Sequence, residues 1–238
     1  MTRTALWKEI AETLADEIAR GHFPTGARLP TEAELSARFG VNRHTVRHAL
    51  ADLAARGLVH ARRGAGVFVL GQAAEYPLGR RVRFHQAMEA GGRLPMKELT
   101  RREIRLADPD EAAALQLQAG AQVVVVEGLS SADGQPIAVF RSVFPAARFP
   151  GLLEAFAGET SITRALAACG LADYTRASTR VSARAAGAMV ALALLLPEGA
   201  PVLRTTAVNV DAAGVPVEFG TTWFAGERVT LTVTPEGI

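Results

Sequence analysis

Apolar residues recur at helical spacing near the start of the chain. Leu6, Trp7, Ile10, Leu14 and Ile18 share one face, and Gly21 stands where a helix C-cap glycine belongs. A loop follows over residues 22–30. Thr31-Glu32-Ala33-Glu34 then has the pattern of a capping box, with Leu35 and Phe39 as the apolar face of a short helix. Gly40-Val41 breaks that helix. Asn42 predicts the N-cap of the next, whose Val46, Ala49, Leu50 and Leu53 turn inward. Gly57 ends it. Two apolar segments, 58–61 and 67–69, flank Arg62-Arg63-Gly64-Ala65-Gly66 and predict a hairpin with a basic, glycine-rich tip. Two short helices on a tight glycine turn, followed by such a hairpin, predict a winged helix-turn-helix over residues 1–70.

Residues 71–79 hold Pro77 and two glycines, lack periodicity, and read as a linker. Beyond it, residues 80–238 predict a helix over 84–90, a strand over 97–106 and a helix over 112–117 behind Asp108-Pro109-Asp110-Glu111. A hairpin comes next, 123–126 with 136–144, turning at Asp133-Gly134. A helix over 161–169, a strand over 175–182, a helix over 186–195 and a hairpin of 202–210 with 215–224 complete the chain. The order echoes itself: Gly120/Val123 matches Gly199/Val202, Asp133/Pro136 matches Asp211/Pro216, and Phe144 matches Phe224. Two β-α-β-β halves would share one mostly antiparallel sheet, with helices on one side and a crevice between the halves: an α+β domain.

Composition narrows the function. With 238 residues, 49% of them hydrophobic and 21% charged, the chain can bury the cores of two small domains. The net charge of +2 hides an uneven spread: +3 over residues 1–70, +4 over 71–106 and −5 over 107–238. A polyanion partner is expected for the first part alone. Cys169, the one cysteine, excludes a disulfide framework and a cysteine-built zinc site. The longest apolar stretch, residues 185–197, is shorter than the roughly 20 residues that span a bilayer, so a cytoplasmic protein without a membrane partner is expected. No catalytic triad order, metal-ligand pair, Walker loop or dinucleotide glycine pattern is present, so neither an enzyme nor a cofactor is expected.

The candidate chemistry is recognition. Asn42, Arg43, His44 and Thr45 occupy the first turn of the second helix, and Arg47 and His48 face outward behind them. A recognition helix lays such side chains on base edges, Arg suiting guanine and Asn adenine. Thr31, Arg62, Arg63, Gly64 and Gly66 complete the DNA-facing set, the glycines letting the wing backbone approach a phosphate or a minor groove. Downstream, Arg141, Arg176, Arg180, Arg184 and Arg204 lie on predicted strands. Arg with Ser or Thr suits a phosphate or carboxylate ligand, and Glu218 suits an amine or hydroxyl.

These motifs resemble a known family. Leu29-Pro30-Thr31-Glu32-Ala33-Glu34-Leu35, Phe39-Gly40-Val41-Asn42-Arg43-His44-Thr45-Val46-Arg47 and Arg63-Gly64-Ala65-Gly66-Val67-Phe68-Val69 resemble the N-terminal domain of GntR-family transcription regulators. The resemblance implies that Arg43 and Arg47 read bases, that Asn42, His44 and Thr45 contact phosphates or bases, and that Gly64 and Gly66 place the wing. Many members carry Arg where this chain has Ala33, so one base reader is missing. Residues 76–238 resemble UTRA, the effector domain of the HutC subgroup, whose fold is similar to chorismate lyase. Tyr76-Pro77-Leu78, Arg83-Phe84 and Thr179-Arg180-Val181-Ser182-Ala183-Arg184 look like the phosphonate-metabolism regulators of that subgroup. That implies a homodimeric repressor of phosphonate uptake or breakdown genes, bound to operator DNA and released by a small phosphorus-containing anion. Sugar-phosphate sensors of the subgroup carry arginines at the places of Glu127 and Ser130. The expected effector contacts are therefore Arg83, Arg141, Ser161, Arg180 and Ser182, with Glu218 and Thr222 across the crevice. The alternatives are a regulator answering to a sugar phosphate or urocanate, a constitutive DNA-binding dimer, and a lyase-like enzyme.

Overall fold

The structure, a computed structural model, describes residues 5–62, 64–70, 73–81 and 84–234. It separates into two compact units, residues 1–72 and 73–238.

In the first unit, α1 (Leu6–Ala19) buries Ile10, Ala11 and Leu14. α2 (Glu32–Phe39) begins with the expected capping box. The Thr31 hydroxyl accepts from the Glu34 amide at 3.3 Å, and the Glu34 carboxylate accepts from the Thr31 amide at 2.7 Å. Gly40 closes the helix in the left-handed region at φ +64°, a conformation that favours glycine. The Asn42 side chain caps α3 (Arg43–Ala55), accepting from the Thr45 amide at 2.9 Å. Val46, Ala49, Leu50 and Leu53 join Ile10, Leu14, Leu29 and Leu35 in one core. β1 (Val59–Arg62) and β2 (Gly66–Val69) form the antiparallel wing, with Arg62 opposite Gly66.

The second unit opens with a correction. Residues 71–79 are not a linker throughout, because β3 (Ala74–Pro77) pairs in parallel with residues 229–232. Ala74 and Tyr76 are buried while Glu75 and Pro77 are exposed. This is a strand alternation too short to detect beside Pro77 and the flanking glycines. α4 (Phe84–Ala90), β4 (Pro95–Leu106) and α5 (Pro109–Leu115) follow. β5 (Gln122–Ala132) and β6 (Gln135–Pro145) turn through Asp133 and Gly134, both at positive φ, as an Asp-Gly hairpin requires. α6 (Leu152–Ala155), α7 (Ile162–Ala168), β7 (Thr175–Ala185), α8 (Ala188–Leu194), β8 (Pro201–Val210), β9 (Pro216–Ala225) and β10 (Val229–Thr232), the partner of β3, complete it.

Six strands make one sheet in the order β4-β5-β6-β9-β8-β7, antiparallel at every step. The two β-α-β-β halves therefore meet at β6 and β9, where Arg141 stands opposite Thr221. The helices do not lie on one side, as the sequence pattern suggested. Leu115 of α5 packs on Val123, Val125, Val143 and Phe219, and Ala191 and Leu194 of α8 pack with Val139 and Trp223 on that same face. The opposite face carries two separate cores. One joins Val124, Val126 and Phe144 to Phe156 and to Leu166 of α7; the other joins Ala138 and Phe224 to Tyr76 and to Met88 of α4. Between those cores the sheet is left open.

Candidate functional site

On the first unit, Arg43 and His44 are exposed at the start of α3, where the sequence placed them. Two other expected contacts are partly committed elsewhere. The Asn42 Oδ1 atom accepts from the Thr45 amide and hydroxyl at 2.9 and 3.0 Å, and the Thr31 hydroxyl lies 2.8 Å from the Glu34 carboxylate. His48 stacks on Trp7 of α1, with ring centroids 4.1 Å apart, so it belongs to the packing of α3 on α1. Arg47 is exposed, and Glu32 grips its guanidinium. Gly64 has φ +75° in the wing. Gly66 lies at φ +112°, a conformation that favours glycine, with the Arg28 guanidinium packed over it. Arg28 is a cation that sequence reading missed. It stands at the wing base, bridged by its backbone to Phe68, and forms no ion pair among the described residues. Arg63 lies outside the described residues.

On the second unit, the open part of the sheet forms the floor of a cavity of about 440 Å³. The floor is set by strand alternation. Across β9, β8 and β6, Thr222 lies beside Thr205 and Phe140, and Gly220 lies beside Ala207 and Ser142. Tyr76, Phe84 and Glu89 line one side, and Ser161, Thr163, Arg164 and Tyr174 the other.

Five charged residues line this cavity: Glu89, Arg164, which is paired with Glu159, and Glu218, Lys97 and Arg176. Glu218 is buried at 5% exposure and accepts a hydrogen bond from Asn209 Nδ2 at 2.6 Å. Lys97 of β4 holds its ammonium 4.1 Å from the Phe140 ring centroid, and no acidic partner within salt-bridge distance is seen among the described residues. Enclosure by protein pushes the Lys97 ammonium down to about 8, with the Glu218 carboxylate pulling the other way. Arg176 of β7 buries its Nε atom, and Thr179 its hydroxyl, each without a hydrogen-bond partner among the described residues. Both residues line the cavity, where a guanidinium N–H and a hydroxyl suit a ligand that accepts hydrogen bonds.

Of the expected effector contacts, Ser161, Glu218 and Thr222 line the cavity. Arg141, Arg180 and Ser182 do not. Arg141 points to the α5–α8 face and bonds Glu127 at 2.8 Å. Arg180 and Ser182 pair with Thr206 and Arg204, which alternate away from the cavity. The physical reason is a β-bulge. Arg176 pairs with Asn209 and Ser178 with Val208, leaving Ala177 as an extra residue. Arg176 and Arg180, four apart, would share a face in a regular strand; the bulge sends them to opposite faces. Arg83 lies outside the described residues. Lys97 was missed because neighbouring charges on β4 conceal it. Ser130, where sugar-phosphate sensors carry arginine, does line the cavity, and Glu127 does not.

Protonation gives a first prediction. An anion in the cavity interacts best with charged Lys97, so its affinity should fall as pH rises through about 8. Near that pH, binding should take up a proton, which isothermal titration calorimetry in two buffers of different ionisation enthalpy would measure. Without ligand the dependence reverses: the fold favours neutral lysine, so stability contributed by this group rises from about pH 8 toward the value of a free lysine.

The comparisons agree with both halves. Residues 6–69 match the gntR family of bacterial regulatory proteins, and residues 90–230 match the UTRA domain. The HTH-type transcriptional regulator RB1450 of Rhizobium meliloti is 40% identical over 230 residues, covering 96% of this chain and 94% of the relative. The probable transcriptional regulator PhnF of Escherichia coli is 31% identical over 228 residues, covering 95% and 94%. The crystal structure of PhnF from Mycobacterium smegmatis superposes with a TM-score of 0.67 at 28% identity, covering 94% of this chain and 98% of that one. These relatives are regulators, not enzymes. A winged helix-turn-helix joined to a UTRA domain over nearly the full length of such relatives makes this chain a HutC-type member of the GntR family of transcriptional regulators.

Proposed function

We propose that this regulator is a homodimeric repressor of phosphonate uptake or metabolism genes. In this reading it acts in the cytoplasm, and a small phosphorus-containing anion bound in the sheet cavity sets its affinity for operator DNA. The observation that carries the reading is the charge arrangement of the cavity, in which Arg176 and Lys97 form no ion pair among the described residues and the buried Glu218 carboxylate stands with them. An anion that also carries an amine or hydroxyl satisfies all three groups. The relative named PhnF supports the phosphonate class.

A two-fold dimer would present two α3 helices to half-sites of a near-palindrome. The effector acts only through a difference in its affinity for the DNA-competent and DNA-incompetent arrangements, typically about 5- to 150-fold.

The test uses the full chain on a duplex selected from a randomised library. Operator affinity is read by fluorescence anisotropy with phosphate, methylphosphonate, 2-aminoethylphosphonate, glucosamine-6-phosphate and urocanate. Release by the aminophosphonate at concentrations where phosphate has no effect is the expected result. Release by the sugar phosphate or urocanate alone would replace the phosphonate assignment. No release by any of them would make this a constitutive DNA-binding protein.

A further inference from the structure

Arg47 carries a feature that its role as base reader does not explain. An arginine guanidinium offers two hydrogen-bonding edges, the side edge of Nε with Nη2 and the end edge of Nη1 with Nη2. Glu32 takes the side edge of Arg47, with Nε donating to Oε1 at 3.1 Å and Nη2 to Oε2 at 2.8 Å. Glu32 is the first residue of α2, and the Thr31–Glu34 capping box fixes that turn. The carboxylate is therefore held by one helix of the pair and the guanidinium by the other. The Arg47 side chain is still 64% exposed, and its end edge is unused among the described residues.

Two physical consequences follow. An exposed arginine is rotamer-rich and loses that freedom when it docks, so a fixed one docks at lower entropic cost. A guanidinium whose charge is half answered by a carboxylate is also a weaker phosphate ligand, because non-specific affinity follows the number of unpaired cations. Arg28, which forms no ion pair among the described residues, is the phosphate-binding type. Arg47 is different.

We propose that Glu32 is a positioning residue for sequence readout, holding Arg47 by its side edge so that the end edge meets guanine O6 and N7, and raising discrimination at the expense of non-specific affinity. The proposal rests on Arg47 reading a base. The rival role, a tie that only fastens α2 to α3, makes different predictions.

The test compares the full-length protein with Glu32→Ala, Glu32→Gln and Arg47→Ala on randomised duplex libraries, reading base preference by sequencing. Arg47→Ala is expected to flatten the preference at one base step per half-site. Glu32→Ala should flatten that same step by about tenfold and leave the others. It should also bind unrelated duplex several-fold more tightly, with a salt dependence steeper by about one charge. Glu32→Gln, which keeps the shape and one acceptor, should fall between the two and serves as the control for folding. If Arg47→Ala changes no step, the base-reading role of Arg47 is wrong and the proposal falls with it. If Arg47→Ala flattens a step and either Glu32 variant leaves that step intact, or lowers affinity evenly across all sequences, Glu32 is a structural tie and the proposal is overturned.

Discussion

Arg176→Ala should abolish the effector response while leaving operator binding in the absence of effector unchanged. Desolvation sets the size of the effect. The Arg176 Nε atom is buried and unpaired among the described residues, so a bound anion gains a charge-assisted hydrogen bond that water cannot replace. Truncating one member of such a pair removes about 2–5 kcal/mol, much of it the penalty of leaving the remaining charge buried. That corresponds to roughly 30-fold or more in effector affinity. Lys97→Met should act in the same direction and also remove the loss of affinity above about pH 8. Arg180→Ala and Arg141→Ala are the internal controls. Arg180 is exposed on the far side of the sheet, and Arg141 is bonded to Glu127, so neither should alter effector affinity by more than about twofold. Titration calorimetry with the effector decides the matter. Loss of binding in Arg180→Ala with retention in Arg176→Ala would place the ligand on the opposite face of the sheet.

Phe144→Ala should destabilise the second unit by about 3–5 kcal/mol, a large share of a domain's net stability. Phe144 is completely buried on β6, next to the centre of the sheet. Its ring packs 6.0 Å from Phe156 and joins Val124, Val126, Leu152 and Leu166 in one core. Removing it deletes apolar contact and leaves a void that strands held in register on both sides cannot close. The melting temperature should drop by roughly 10 °C, at about 2–4 °C per kcal/mol for a unit of this size. The two tryptophans give a clean readout because each unit holds one. In a Trp7→Phe background, Trp223 reports on the second unit alone. A shift below about 3 °C would mean that this core is not what holds the sheet together.

Local chemistry made much of the fold legible in the sequence. Thr31, Asn42 and Asp108 announce helix starts because a capping side chain acts within three residues of itself. Asp133-Gly134 announces a hairpin because few residue pairs accept positive φ twice in succession. The internal echo announced two β-α-β-β halves in one antiparallel sheet. What stayed hidden depended on distant partners. β3 and β10 are four-residue strands joined across some 150 positions, and no local pattern records such a pairing. Of the cavity, Ser161, Glu218 and Thr222 were legible. On β7 the extra residue Ala177 breaks the alternation, so Arg180, expected as an effector contact, faces away from the cavity while Arg176 faces it. The grip of Glu32 on Arg47 was likewise invisible, because the two residues lie fifteen apart on different helices.

The echo between the halves has a consequence for stoichiometry. Phe144 matches Phe224 and Pro136 matches Pro216, so Ala138, Phe140 and Ser142 of β6 are the counterparts of Glu218, Gly220 and Thr222 of β9. A faithful duplicate would hold a carboxylate at both Ala138 and Glu218, and a ligand could then lie in the site in either of two directions. The halves have diverged at these floor positions. One contributes an acid and a glycine, where the other contributes a methyl group and an aromatic ring. In the proposed site such broken symmetry would select a single polarity for the guest, with its donor end toward Glu218, and one guest per chain.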